Sequence, residues 1–163
     1  MEKLSRTVGE RLKSAGEKLV TAESCTGGWV AQALTSIAGS SEWFERGFVV
    51  YSNDAKREML GVRAETLLQH GAVSEEAARE MARGALERSR GTLALAVTGV
   101  AGPGGGSAGK PVGMVCFAWA NAGTLRSETC NFRGDRESVR RQSVIHALEG
   151  VLTTLTRAGS GPT

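Results

Sequence analysis

Two hydrophobic rhythms alternate along the chain, one of period 3.6 and one of strand length, and their switches mark the predicted elements. Leu4–Ala15 reads as a helix that leads through Gly16 into a short strand, Lys18–Ala22. Thr26–Ile37 reads as a second helix, with Val30, Ala33, Leu34 and Ile37 on one stripe. The β-branched and aromatic run Gly47–Tyr51 predicts a strand ended by the Ser52-Asn53-Asp54 turn. Two short helices, Ala55–Leu60 and Ala64–His70, each stop at a glycine. Ser74 followed by Glu75 and Glu76 offers a capping oxygen and then carboxylates at the positive end of the dipole, starting a helix to about Arg88. Leu93–Thr98, Gly113–Ala120 and Arg126–Phe132 predict strands, the last two joined by a turn at Asn121. Asp135 caps a final helix to about Leu155. Helices interleaved with strands cover both faces of a sheet, so the expected fold is a three-layer α/β/α sandwich with a mixed, mainly parallel sheet. One domain over residues 1–157 is expected, with 158–163 as a disordered tail.

Composition narrows the function classes. With 163 residues, 40% of them hydrophobic and 23% charged, the chain can build one sizeable core. Its apolar runs are too short to span a bilayer, and its first residues lack a secretory pattern. A net charge of +3, scattered along the chain, argues against nucleic acid as a partner and leaves room for a small anionic ligand. The three cysteines, Cys25, Cys116 and Cys130, form no CxxC pair and lie far in sequence from His70 and His146. Sequence-local zinc spacing is therefore missing, and a reducing, cytoplasmic location is expected. The 22 glycines follow no collagen-like period and point to tight turns where backbone approaches a ligand.

Three loops after strand-like runs carry the candidate chemistry. In Thr21-Ala-Glu-Ser-Cys-Thr-Gly-Gly28 a serine at a strand end faces the first amides of a helix, which suit a phosphate or an oxyanion. Ser24 or Thr26 serving only as a helix cap is the plainer reading. Cys25 is either a nucleophile without a histidine nearby or a small buried residue. In Tyr51-Ser-Asn-Asp-Ala-Lys56, a lysine in the first helical turn is electrostatically misplaced unless it has another role. Desolvated beside a serine it would be a general base; otherwise it is a surface lysine, and Tyr51 either bonds to the same group or packs at the strand end. The third loop, Thr98–Pro111, contains the phosphate-loop lookalike Gly104-x-x-x-x-Gly109-Lys110. Pro111 replaces the hydroxyl residue and a strand follows, so that class is rejected. Arg133, Asp135, Arg136, Arg140 and Arg141 open the final helix as a solvated face or as an anion clamp.

Taken together, TAESCTGGWVAQALTSIAGSSEWFERGFVVYSNDAK, GAVSEEAAREMARGAL, TGVAGPGGGS with KPVG, and FRGDRESVRRQ resemble the CinA C-terminal domain family, the nicotinamide-nucleotide amidohydrolases, over about residues 5–155. The resemblance implies deamidation of nicotinamide mononucleotide to nicotinic acid mononucleotide and ammonia, in pyridine-nucleotide recycling. It implies a three-layer domain, commonly a homodimer, in the stand-alone enzyme form, with no metal or organic cofactor. By that similarity Ser24 is the nucleophile and Lys56 its base, with Tyr51 and Thr98 lining the reacting centre. The expected substrate-binding set is Cys25, Thr26, Gly27, Gly99, Gly102, Gly105 and Arg140. Two other readings stand beside it. One is a metal-dependent nucleotide phosphohydrolase, which would need Glu23, Asp54 and Asp135 to converge; the other is a nucleotide-binding module without catalysis.

Overall fold

In the computed structural model, which describes residues 1–160, the strand-like runs assemble into one five-stranded sheet. The chain order is α1 (Glu2–Ala15), β1 (Leu19–Glu23), α2 (Trp29–Thr35), a 3-10 turn (Ser40–Glu42), β2 (Phe44–Val49), α3 (Asn53–Leu60), α4 (Ala64–His70), α5 (Glu75–Glu87), β3 (Leu93–Gly99), β4 (Met114–Ala120), β5 (Leu125–Asn131) and α6 (Arg136–Ala158). The sheet order is β2-β1-β3-β4-β5. β1 pairs in parallel with both β2 and β3, and β4 then runs antiparallel to β3 and to β5. The sheet is thus mixed, and β4 alone opposes the common direction.

Strict alternation assigns the two faces. Leu93, Leu95 and Val97 of β3, with Val115, Phe117 and Trp119 of β4, point into the core under α1, α2 and α6. Ala94 and Ala96, with Cys116, Ala118 and Ala120, point to the opposite face beneath α5. Large side chains on one face and small ones on the other set different depths for the two helical layers. On the shallow side α5 presents Ala77, Ala78, Met81, Ala82 and Ala85, so helix and sheet interlock through small residues. Gly84 of α5 lies against the α3 backbone: a Cβ there would fall 1.9 Å from the carbonyl oxygen of Leu60. Three helices start on the expected kind of side-chain cap. The Ser52 and Ser74 hydroxyls accept from the amides of Ala55 and Ala77, and the Asp135 carboxylate accepts from Ser138.

Three element boundaries differ from the sequence reading by three residues, and several others by one or two. β2 begins at Phe44 and ends at Val49, where Gly47–Tyr51 was expected. Its length follows its register with β1, from Leu19↔Phe44 to Glu23↔Val49, and as an edge strand it carries polar Glu45 and Arg46 that mask its start. The second helix begins at Trp29 instead of Thr26, because Gly27 and Gly28 hold φ of 61° and 100°, outside helical geometry. α6 continues through Ala158 into a turn at Gly159 and Ser160, so the helix includes the first residue assigned to the tail. The remainder of that segment, 161–163, lies outside the described residues. Among the described residues no helix is long and apolar enough to cross a membrane.

Candidate active site

The three parallel strands β2, β1 and β3 all end at the same edge of the sheet, and the loops that follow them enclose one cleft. Open α/β sheets bind ligands at this place, outside the carboxyl ends of neighbouring strands. The cleft measures about 180 Å³ and is lined by Ser24, Cys25, Tyr51, Lys56, Thr98 and Arg136, among others. Its lining contains two cations and no carboxylate.

At its floor the Lys56 Nζ lies 2.9 Å from Ser24 Oγ. The amine is 2.9 Å from the Val50 carbonyl oxygen and 3.4 Å from that of Tyr51. Lys56 is 1% exposed and Ser24 8%, and among the described residues no acidic side chain hydrogen-bonds to the amine. Burial therefore holds the Lys56 ammonium below its ordinary value. The geometry suits both protonation states. A neutral amine donates two N–H bonds to the carbonyls and accepts the Ser24 proton on its lone pair; an ammonium donates to all three. Proton transfer between the two side chains requires no movement of heavy atoms.

Local structure explains how a loop of small residues holds Ser24 still. The Ser24 amide donates to the Val97 carbonyl at 2.9 Å, extending the β1–β3 pairing by one residue. The preceding Glu23 is fully buried, and its carboxylate turns toward α2. It accepts from the Thr26 hydroxyl at 2.6 Å, the Val30 amide at 2.8 Å and the Ala31 amide at 3.1 Å. These bonds satisfy the first amides of the helix and place a negative charge at its positive end. From α6, Arg140 donates through Nε to the Cys25 carbonyl at 3.1 Å and through Nη2 to the Thr26 carbonyl at 3.0 Å. The loop is thereby fixed from both sides. Burial pushes the Cys25 thiol up to about 12, so it is not a thiolate at neutral pH.

The other expected site residues divide between the cleft and its supports. Thr98 lines the cleft and donates its hydroxyl to the Ala72 carbonyl at 2.9 Å, and Gly99 borders the same space. Tyr51 also lines it, but its ring is largely exposed and its hydroxyl is 3.2 Å from Arg136 Nη2 rather than bonded to Ser24 or Lys56. Only its backbone carbonyl approaches the amine. Thr26 faces Glu23, while Gly27, Gly102, Gly105 and Arg140 are not part of the lining. Gly102 reaches the site indirectly, its carbonyl accepting from Arg136 Nη1 at 2.7 Å.

Arg136 and Glu23 are the residues that sequence reasoning passed over as individuals. The sequence offers Arg136 only as one of a basic cluster, and Glu23 only as one of three carboxylates that a phosphohydrolase would need. The three carboxylates required for a phosphohydrolase do not converge: Glu23 serves α2, Asp135 caps α6, and Asp54 opens α3. His70 and His146 both lie outside the cleft.

Comparison with known proteins identifies the family. The family model of the CinA C-terminal domain matches residues 1–155. The nicotinamide-nucleotide amidohydrolase PncC of Escherichia coli K12 is 58% identical over 149 residues, covering 90% of this chain and 89% of that protein. The protein of the same name from Pseudomonas putida is 51% identical over 149 residues, covering 91% and 93%. The crystal structure of the competence/damage inducible protein CihA from Agrobacterium tumefaciens superposes with a TM-score of 0.92 at 50% identity, covering 95% of this chain and 94% of that one. On the family match and these identities, the chain belongs to the CinA C-terminal domain family.

Proposed function

We propose that this protein hydrolyses the carboxamide of nicotinamide mononucleotide, releasing ammonia and nicotinic acid mononucleotide, with Ser24 as nucleophile and Lys56 as proton carrier. The observation that carries the mechanism is the buried 2.9 Å contact between Lys56 Nζ and Ser24 Oγ in a cleft without carboxylates. The PncC relatives supply the reaction class.

The steps follow from the groups present. Neutral Lys56 takes the hydroxyl proton as Ser24 Oγ attacks the carboxamide carbon. The tetrahedral oxyanion would be met by the backbone amide of Cys25, which follows Ser24 in the cleft lining. The Lys56 ammonium then returns its proton to the departing nitrogen, and the C–N bond breaks to give ammonia and a Ser24 ester. A water attacks the ester, giving one proton to Lys56, which passes it to Ser24 Oγ as the carboxylic acid leaves and yields its remaining proton to ammonia in solution. One water is consumed, and enzyme and protons return to their starting state.

Arg136, fixed at the mouth by Gly102 and Tyr51, is the cation placed to meet the substrate phosphate. It takes the place first assigned to Arg140, which does not line the cleft and holds the Ser24 loop from outside it. The protein is proposed to act in the cytoplasm as a homodimer.

Ser24→Ala tests the assignment. Ammonia release from nicotinamide mononucleotide should vanish while the melting temperature stays within a few degrees of the parent. Turnover retained in that variant would remove Ser24 from the reaction.

A further inference from the structure

Away from the cleft, three side chains capable of binding a metal converge between the edge strand β5 and helix α6. Glu128 and Cys130 are two residues apart on β5 and so project from the same face. His146 reaches them from α6. Its Nε2 lies 2.8 Å from Glu128 Oε2 and 3.4 Å from Cys130 Sγ. One ligating atom from each residue falls within 4.8 Å of the other two, a span that one ion can bridge.

The surroundings hold these groups in place. Arg126 pairs with the other oxygen of Glu128, lies 4.0 Å from the Trp119 ring and donates to the Gly150 carbonyl at 3.1 Å. The carboxylate is thereby oriented with Oε2 toward the histidine. The His146 ring is 4.7 Å from Phe117 and 6.1 Å from Phe132, centroid to centroid, so aromatic side chains flank the site. Glu128 and His146 remain 39% and 29% exposed, leaving an approach from solvent.

We propose that Glu128, Cys130 and His146 form a binding site for one divalent transition-metal ion, of which zinc fits the donor set best. A thiolate, an imidazole and a carboxylate are the borderline-soft mixture that zinc accepts, with water as the fourth ligand. Binding replaces the Cys130 S–H bond with a sulfur–metal bond and releases that proton to solvent. To ligate through Nε2, His146 gives up the Nε2 proton that the Glu128 carboxylate accepts and keeps its ring proton on Nδ1. The ion would clip the free edge of the sheet to the C-terminal helix. This site is separate from the amidohydrolase cleft, and the proposal stands whether or not that reaction is correctly assigned.

Cobalt is the probe, because it reports sulfur ligation as a charge-transfer band. Chelator-treated full-length protein is titrated with Co²⁺ and then with competing Zn²⁺, in a Cys25→Ala/Cys116→Ala background that leaves Cys130 as the remaining thiol. The expected result is one cobalt per chain with a sulfur-to-cobalt band, displaced stoichiometrically by zinc. Cys130→Ser in that background should abolish the band. His146→Gln should weaken binding by more than ~100-fold, beyond the 10–100-fold typical of losing a mere supporting group. Zinc, but not magnesium, should raise the melting temperature of the wild-type chain. No sulfur band, or a band that survives Cys130→Ser, overturns the proposal. If the substituted background does not fold, the spectrum of the wild-type protein decides: absence of the band is again the refuting result.

Discussion

Replacing Lys56 with methionine separates the catalytic cost of the amine from its structural cost. The methionine keeps the length and apolar body of the side chain while removing the group that faces Ser24 Oγ. Loss of a general base costs about 10²–10⁴ in rate, or roughly 2.7–5.4 kcal/mol of transition-state stabilisation. Stability should move the other way. The substitution leaves the Val50 and Tyr51 carbonyls without the amine, at about 1 kcal/mol each. It also relieves the burial of a cation, which costs several kcal/mol. A net gain of about 1–3 kcal/mol is expected at pH 7, or roughly 2–4 °C in melting temperature per kcal/mol.

The pH dependence supplies the sharper check. Lys56 holds its proton to an ordinary value of 10.5 in the unfolded chain, and the folded protein releases it at lower pH. Between those two values the unfolded state binds more protons, so wild-type stability climbs with pH by up to about 1.4 kcal/mol per unit. Below the folded value both states are protonated, and the burial cost is constant. The methionine variant lacks this slope, so its advantage should shrink toward pH 10.5. Ammonia release at pH 8 and thermal melts from pH 6 to 10 would measure both effects. Activity within tenfold of wild type, or a stability difference that stays flat with pH, would refute the reasoning.

The wild-type kcat/KM for ammonia release should rise with pH through the lowered Lys56 value, because the neutral amine is the competent form. Cys25→Ala should keep turnover within tenfold, since a thiol held at about 12 supplies no nucleophile at neutral pH; a hundredfold loss would reinstate it. Glu23→Gln should cost about 1.5–3 kcal/mol in denaturant melts, because a charged acceptor for the amides of Val30 and Ala31 becomes a neutral one. Gly84→Ala should destabilise by at least about 1–3 kcal/mol, measured in the same way, because its methyl group meets the Leu60 carbonyl at 1.9 Å.

Much of the architecture is legible in the chain because its signals are local. Alternating large and small residues in LALAVT and GMVCFAWA define the two sheet faces, and the Ser74 and Asp135 caps locate α5 and α6. Ser24, Lys56 and Thr98 could be nominated because each closes or follows a strand-like run. What escaped depends on non-local geometry. Arg136 and Arg140 lie one helical turn apart on the same face of α6, and only the placement of that helix decides which enters the cleft and which grips the loop behind it. Glu23 looks like a surface acid until β1 is known to be an inner strand, flanked by β2 and β3. Cys130 and His146 are sixteen residues apart with no close second ligand of the CxxC kind beside either, and a strand-to-helix crossing joins them.

The start of α6 has a mechanical consequence. Within five residues it grasps Cys25 and Thr26 after one strand, Tyr51 after the second and Gly102 beyond the third. Fraying of its first two turns would loosen every wall of the pocket together, although neither reacting side chain belongs to that helix. Amide exchange at 136–140 and loss of turnover should consequently share one opening equilibrium. A small molecule wedged under this end could silence the enzyme without entering the substrate's space.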